Sequence, residues 1–236
     1  MCHPRMRPGL LVLLLSLVAG SLAGCGAGGA GGSADGLPPD DQFRPEITHT
    51  YFPLQRGSVR TYLGEHEGAV RREEETTLRE TKRARRIECT GIRQDVYDDD
   101  LLVETTTEWY AQDAEGNVWK FGEESLVLEG RTFVRTEDSW IAGQADVVPF
   151  IAFPAAPRPG DVYVVRHRAG TDRFVVEALD AVAEVPAGTF PDCLQVHENP
   201  DDAEDSDIIL YAPGLGRVAE TSTGGFVELA TYATAP

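Results

Sequence analysis

The sequence has few basic residues. Lys and Arg together number 21, against 39 Asp and Glu, so the formal net charge is −18 at pH 7. So acidic a chain repels the phosphate backbone of nucleic acids and the headgroups of anionic lipids. This argues against nucleic-acid binding, and against membrane attachment through basic side chains.

The sequence also lacks a long apolar run and the common catalytic motifs. The run Leu10–Ala19 has ten residues and is interrupted by Ser16, whereas a membrane-spanning helix needs about 20 residues. No G-x-S-x-G, S-x-x-K, C-x-x-C, Walker A or H-E-x-x-H sequence occurs. We therefore expect a non-catalytic protein with no catalytic residues, cofactor or metal site.

The N-terminus has the features of an export signal. Arg5 and Arg7 precede the apolar run, which ends in Leu22-Ala23-Gly24-Cys25. This order is typical of a secretory signal peptide, and its last four residues resemble the lipobox of bacterial lipoproteins. We expect removal of residues 1–24, starting from Met1 or Met6, and lipidation of Cys25, which anchors the protein to a membrane. Cleavage removes two arginines and no acidic residue, so the net charge changes from −18 to −20.

A flexible tether follows the lipidated cysteine. Residues 25–42 are rich in Gly, Ser and Pro, a composition typical of flexible coil. Residues 26–31 match G-x-G-x-x-G, but neither the strand nor the helix of a dinucleotide site flanks them. Gly26 follows the lipidated cysteine, at the position where an Asp would resemble an inner-membrane retention signal. In a cell with two membranes, we therefore expect the protein in the outer one. Residues 43–236 are expected to form one β-rich domain, a monomer.

Strand signals recur from residue 101 onward. Val103, Thr105, Thr107 and Trp109 alternate with other residues, and Asp113–Asn117 is typical of a hairpin connection. Further strands are predicted at Arg131–Trp140, Val162–Arg168, Arg173–Val185, Cys193–His197, Asp207–Tyr211, Arg217–Ser222 and Phe226–Tyr232. Their spacing predicts a mainly β fold: a single antiparallel, strongly curved sheet (a half-barrel) with few or no helices.

Two features stay open at this point. Arg71–Arg86 contains strong helix formers but also Thr76, Thr77 and Thr81, so a solvated helix and an exposed two-stranded ribbon are both compatible with it. Cys89 and Cys193 form either a disulfide or two buried free thiols, and the oxidising compartment favours the disulfide.

Candidate sites are sparse among the remaining residues. The mature histidines His49, His66, His167 and His197 show no metal-binding spacing. Acidic residues cluster at Asp98–Asp100 and Glu198–Asp207, but without the spacing of an EF-hand, so both clusters are expected to be solvated loops. The aromatic residues expected either to pack in the core or to line an apolar groove are Tyr110, Trp109, Trp119, Phe121, Phe133 and Trp140.

Four segments carry a resemblance to a family of uncharacterised bacterial lipoproteins. They are Tyr51–Tyr62, Glu108–Gly122, Val185–Val196 and Tyr211–Gly216. The resemblance implies a curved antiparallel half-barrel, similar to that of periplasmic lipoprotein carriers. It also implies a strand at Arg71–Arg86, and it supports a Cys89–Cys193 bridge, because cysteines near both positions recur in the family.

Two positions depart from the family pattern and affect the aromatic lining of such a groove: Arg60 stands where Trp is usual, and Lys120 where Tyr is common. The resulting hypothesis is an envelope lipoprotein that binds an apolar ligand or an envelope protein on its concave sheet. The alternatives are a structural or protein-interaction module with a fully packed sheet and a hydrolase with an unrecognised site, in which His167 or His197 joins a carboxylate.

Overall fold

The structure is a computed structural model that describes residues 36–137, 139–144, 148–166 and 170–234. The predicted signal peptide, Cys25 and residues 26–35 lie outside this range, and so does His167. In the described part of the predicted tether, Leu37 is buried, and Asp40–Gln42 form an exposed 3-10 turn. Within the described ranges, no helix has both the length and the apolar character needed to cross a membrane.

In the described ranges, almost all the regular structure is extended, in sixteen strands. The strands are β1 Ile47–His49, β2 Phe52–Leu54, β3 Val59–His66, β4 Ala69–Ala84, β5 Ile87–Asp98, β6 Leu101–Gln112, β7 Val118–Glu129, β8 Thr132–Arg135, β9 Trp140–Ile141, β10 Phe150–Phe153, β11 Val162–Arg166, β12 Thr171–Val185, β13 Gly188–Glu198, β14 Asp207–Ala212, β15 Gly216–Ser222 and β16 Gly225–Ala233.

Fourteen of these strands form one antiparallel sheet, which confirms the predicted mainly β fold class. The strand order is β10-β7-β6-β5-β4-β3-β16-β15-β14-β13-β12-β11, with β8 and β9 also paired to β7. Neighbours in the sheet are mostly neighbours in sequence. The exceptions are β9 and β10, which both pair with β7, and the ladder between β3 and β16, which joins the N-terminal and C-terminal halves of the sheet. Strands β1 and β2 form a separate two-stranded hairpin.

The sheet is curved, and it is not closed into a barrel. Strands β10 and β11 end the strand order, yet residues of both line the same cavity. The two ends of the sheet therefore face each other. In the described part of the chain, no hydrogen-bonded ladder joins β10 to β11. The half-barrel shape itself stays a prediction.

Two of the hairpin connections are tight turns in which two successive residues have positive φ. Glu67 and Gly68 (φ 50° and 85°) connect β3 to β4, and Asp99 and Asp100 (φ 48° and 64°) connect β5 to β6. Two successive positive φ values suit the right-handed twist of a hairpin. Asp99 also accepts a hydrogen bond through Oδ1 from the Val70 backbone N–H, at 3.1 Å. The first acidic cluster is thus a β-turn.

The ambiguous segment Arg71–Arg86 lies almost entirely in β4, which pairs with β3 on one side and β5 on the other. The helix alternative is therefore wrong, and the strand that the resemblance implied is confirmed. Helix propensity is a weak preference that two flanking hydrogen-bonded ladders override. The segment is also less exposed than a surface ribbon, because Glu73 and Thr77 are buried.

Both faces of strands β5–β7 are covered. On one face, Cys89, Trp109 and Phe121 form a core cluster, with Phe43 packed against it. On the other face, Ile92, Tyr110 and Val118 pack against Ile47 and Leu54 of the β1–β2 hairpin. Because this second face also bears the cavity, the hairpin fills part of the curved sheet and leaves the rest open.

The expected disulfide between Cys89 and Cys193 is not confirmed. Both residues are buried free thiols that lie in different core clusters, Cys89 on β5 and Cys193 on β13. Five strands separate β5 from β13 in the sheet order. A disulfide needs Cα atoms about 4.4–6.8 Å apart. An oxidising compartment favours disulfides in general, but it does not bring two particular cysteines within this distance. Burial raises the pKa of Cys89 to about 12, although a backbone contact with Ala84 lowers it, so this thiol is unreactive.

Candidate functional site

A cavity of about 390 Å³ lies between the two ends of the sheet. Strands β6, β7, β9 and β10 contribute one wall, and β11–β14 contribute the other. The lining residues are Glu108, Tyr110, Lys120, Glu123, Trp140, Phe150, Ala152, Phe153, Val165, Asp172, Phe174, Glu198 and Tyr211. The volume falls within the range of small-molecule sites.

Aromatic rings form the apolar part of the lining. Trp140 lies against Phe150 with ring centroids 5.9 Å apart. Phe153 meets Tyr211 edge to face at 5.1 Å, and it stacks on Phe52 of β2 at 4.2 Å. These contacts fix the rings before any ligand arrives. The resulting wall is large, rigid and apolar, which suits an apolar ligand.

Lys120 lies on the opposite, polar side of the cavity. Its ammonium group bonds to the carboxylates of Glu108 and Glu123, and its side chain is only 13% exposed. Tyr110 donates a hydrogen bond to Glu108 Oε2 at 2.9 Å. Burial alone lowers the pKa of Lys120, but attraction to Glu108 and Glu123 outweighs burial and raises it. The pKa of Glu108 is lowered by Lys120 and by its hydrogen bonds, although burial opposes this, so Lys120 and Glu108 stay charged at neutral pH.

A register shift creates this triple contact. Residues three apart on a regular strand point to opposite faces, so Lys120 and Glu123 would diverge. The pairing between β6 and β7 runs from Trp109–Gly122 to Tyr110–Lys120 and skips Phe121. This bulge brings Lys120 and Glu123 to the same face, and re-aiming a side chain is a common function of bulges.

A second polar group, made of carboxylates, lies at the other end of the cavity. Asp172 and Glu198 line it, and Asp207 stands directly across from Glu198 on the neighbouring strand. Among the described residues, the Glu198 carboxylate has no hydrogen bond and no ion pair. Like charges on facing strands repel each other, so this end of the cavity attracts positive charge.

Burial and the neighbouring negative charges raise the pKa values of Glu198 and Asp207. Burial, together with the charges of Asp172 and Asp207, raises the pKa of Glu198 from 4.5 to about 8. Burial, with Glu220 and Asp205, raises the pKa of Asp207 to about 6. Glu198 is therefore largely protonated at pH 7 in the empty cavity, and a cation placed beside it would favour its ionised form.

His197 belongs to a chain of polar contacts outside the cavity. Its Nδ1 lies 3.0 Å from Glu177 Oε1, and its Nε2 lies 2.9 Å from Ser206 Oγ. The order Ser, His, Glu matches the hydrolase alternative. However, the next strand residue, Glu198, lines the cavity, so His197 points to the other face of the sheet. Acidic residues of the adjacent loop, such as Asp205, also disfavour the anionic intermediates of acyl transfer.

The other described histidines contact the backbone of neighbouring segments. His49 is buried, with Nε2 2.9 Å from the Pro154 carbonyl oxygen, and its Nδ1 accepts a hydrogen bond from the Tyr51 N–H at 3.2 Å. Burial lowers its pKa, although the Pro154 contact opposes this. His66 lies against Gly224 at the end of β3. In the described ranges, no group of three His, Cys, Asp or Glu side chains is placed to hold a metal.

The predicted aromatic cluster divides between two places. Trp109, Trp119 and Phe121 pack with Phe43 on the face of the sheet away from the cavity. Tyr110 and Trp140 line the cavity, and Phe133 is an exposed residue of β8. The groove interpretation therefore applies to two of the six residues.

Several cavity residues were missed by sequence reasoning. Phe150 and Phe153 lie on β10, in a proline-rich segment for which the sequence predicts no strand. Glu198 and Asp207 were assigned to a solvated loop, but they are the strand ends on either side of it. One feature of the sequence could have indicated the cavity: Lys120 lies between Trp119 and Phe121. A charged residue between two aromatic residues of a strand indicates that its face of the sheet holds a polar partner.

Lys120 and Arg60, the two positions that the sequence analysis singled out, have different surroundings. Lys120 lines the cavity and forms ion pairs with Glu108 and Glu123. Arg60 does not line it: its guanidinium is buried, bonds to Glu75 and donates to the Leu215 carbonyl oxygen at 2.7 Å. Of the two, only Lys120 therefore contributes to the lining.

No family model and no curated protein matches the chain. Two solved structures are similar to it. A predicted exported protein with a YmcC-like fold from Bacteroides fragilis is 13% identical, with a TM-score of 0.45 over 78% of this chain and 99% of that one. A predicted lipoprotein from Parabacteroides distasonis is also 13% identical, with a TM-score of 0.44 and the same coverage of both chains. The cavity and its side chains, rather than these similarities, support the function proposed below.

Proposed function

We propose that this protein is an exported, non-catalytic envelope lipoprotein, anchored through lipid on Cys25, that binds a ligand with an apolar body in the cavity of its curved sheet. The observation that supports it is the cavity of about 390 Å³ walled by Trp140, Phe150, Phe153 and Phe174. A monomer with so much enclosed aromatic surface gains stability when a ligand covers it. A purely structural module with a fully packed sheet would leave no such space.

Filling the cavity tests the proposal. Val165 lines it and is 7% exposed, whereas Val164, the next residue on β11, is 50% exposed on the other face. Val165→Trp should abolish binding of the neutral apolar probe N-phenyl-1-naphthylamine, measured by its fluorescence, and Val164→Trp should leave binding unchanged. Circular dichroism checks that both variants fold. If Val165→Trp does not fold, Ala152→Phe takes its place, since Ala152 also lines the cavity. Equal binding by a folded cavity-filling variant and the wild type would refute the proposal.

The anchor is a separate part of the proposal. Cys25→Ser removes the thiol that would carry the lipid, and the strongly negative net charge disfavours attachment to anionic headgroups. The variant is expected in the soluble fraction of the cell envelope, with the wild type in the membrane fraction. A variant that still sediments with membranes would contradict anchoring through Cys25. In a cell with two membranes, density-gradient separation should place the wild type in the outer one.

A further inference from the structure

The charges that line the cavity are unbalanced. Among the described lining residues, Glu108, Glu123, Asp172 and Glu198 are acidic and Lys120 is the one basic residue. Lys120 already bonds to both Glu108 and Glu123. It therefore offers no charge to Glu198 at the far end.

Glu198 is the carboxylate that this imbalance affects most. It stands between Phe174 on β12 and Asp207 on β14 as their cross-strand partner. No described residue gives it a hydrogen bond or an ion pair. A carboxylate in partly buried surroundings usually has a cationic or N–H partner, and the open side of Glu198 is the cavity.

The aromatic rings next to this carboxylate suit the same partner. Phe174 is paired with Glu198 across the strands, and Tyr211 and Phe153 line the cavity beside them. The faces of aromatic rings attract ammonium and guanidinium groups, more strongly when water is excluded. The combination of ring faces and an unpaired carboxylate is a common way of binding organic cations.

We propose that the cavity binds an organic cation with an apolar body, with the cationic group against Glu198 and the apolar part against the rings of Phe174, Phe153 and Trp140. This inference rests on the proposed function and names its substrate class. Amphiphiles with an anionic headgroup are excluded from the same site, because the carboxylates repel them.

Binding is coupled to a proton. In the empty cavity the pKa of Glu198 is about 8, because of burial and then of Asp172, Asp207, Glu220 and Asp205. A bound cation favours the carboxylate and lowers that pKa, so the ligand displaces a proton. Affinity for the cation should therefore rise between pH 6 and pH 8 and level off above about pH 8. On the other polar side, Lys120 and Glu108 keep their charges over this range, because the pKa of Lys120 is raised and that of Glu108 is lowered.

Three probes with the same alkyl chain test the charge preference: decyltrimethylammonium, decyl maltoside and decyl sulfate, each below its micelle-forming concentration. Titration calorimetry on the mature chain carrying Cys25→Ser measures the affinities. The expected order is cation, then neutral, then anion, with the cation at least about tenfold tighter than the neutral probe, and with proton release that differs between buffers.

Glu198→Gln identifies the residue responsible. The variant should lose the preference for the cation and its pH dependence while it keeps its affinity for decyl maltoside. Glu184→Gln, which removes an exposed carboxylate of β12, should behave like the wild type. Neutral or anionic probes that bind as tightly as the cation, or an unchanged preference in Glu198→Gln, would overturn the inference but leave the proposed function standing. If no probe binds, both fail. If Glu198→Gln does not fold, the pH series on the wild type decides.

Discussion

Replacing Glu198 by Gln should stabilise the empty protein, although the substitution lies in a candidate binding site. In the folded state the pKa of Glu198 is about 8, against 4.5 for an ordinary Glu, because of burial and then of Asp172 and Asp207. Because the pKa of Glu198 is higher in the folded than in the unfolded state, its contribution to the free energy of unfolding is fully present below pH 4.5 and is lost as the pH rises through about 8. Gln cannot ionise and avoids this loss.

The magnitude follows from the size of the shift. From 4.5 to about 8, the shift corresponds to ~5 kcal/mol at full ionisation. Because Glu198 is only partly buried, solvent screening reduces this to about 2 kcal/mol. We therefore expect Glu198→Gln to raise the free energy of unfolding by about 2 kcal/mol at pH 9, which is roughly 4–8 °C in melting temperature for a domain of this size.

Urea unfolding at pH 4.5, 7 and 9 measures the effect, with the mature Cys25→Ser chain as the parent. The difference between Glu198→Gln and the parent should be smallest at pH 4.5 and largest at pH 9. Asp207 titrates near pH 6 in both proteins, so the difference isolates Glu198. Glu184→Gln, an exposed carboxylate on β12, provides the control and should show no growing difference. A difference that does not grow with pH, or one that favours the parent at pH 9, would refute the reasoning.

Two other predictions concern groups that the structure buries. Lys120→Met leaves the carboxylates of Glu108 and Glu123 without their cation and should cost about 3 kcal/mol of unfolding free energy in urea. Lys82→Met, at a partly exposed pair with Glu124, should cost at most ~1 kcal/mol, and equal losses would contradict the first assignment. Cys89 and Cys193 should not react with Ellman's reagent in the native mature Cys25→Ser chain, and both should react after unfolding without reductant. No reaction after unfolding would reveal a disulfide instead.

The sequence predicts the strands well where side chains alternate and turn residues are strict. The hairpin at Asp113–Asn117 is present, with the Asn117 N–H donating to Asp113 Oδ1 at 2.8 Å, and β12–β16 lie close to their predicted positions. Strand β4 was undecided because its charged residues face polar neighbours on both sides. Its state depends on pairing with β3 and β5, which are tertiary partners that a local pattern does not contain.

The cavity was less accessible to sequence reasoning, because its residues come from opposite ends of the strand order. Phe150 and Glu198 line the same cavity only because the sheet curves until β10 and β11 face each other. Glu123 reaches Lys120 only through the bulge between β6 and β7, which no spacing rule reveals. Glu198 and Asp207 were interpreted as part of an acidic loop, because local composition does not show on which face a strand end lies.

The most direct test of the central claim is native mass spectrometry of the mature Cys25→Ser chain purified from its own host, beside Val165→Trp. If the cavity holds a ligand with an apolar body, the parent should carry a reproducible additional mass that the cavity-filled variant lacks. The released species should be a cationic amphiphile. The apoprotein mass for both proteins, or the same adduct on both, would contradict a ligand in the cavity.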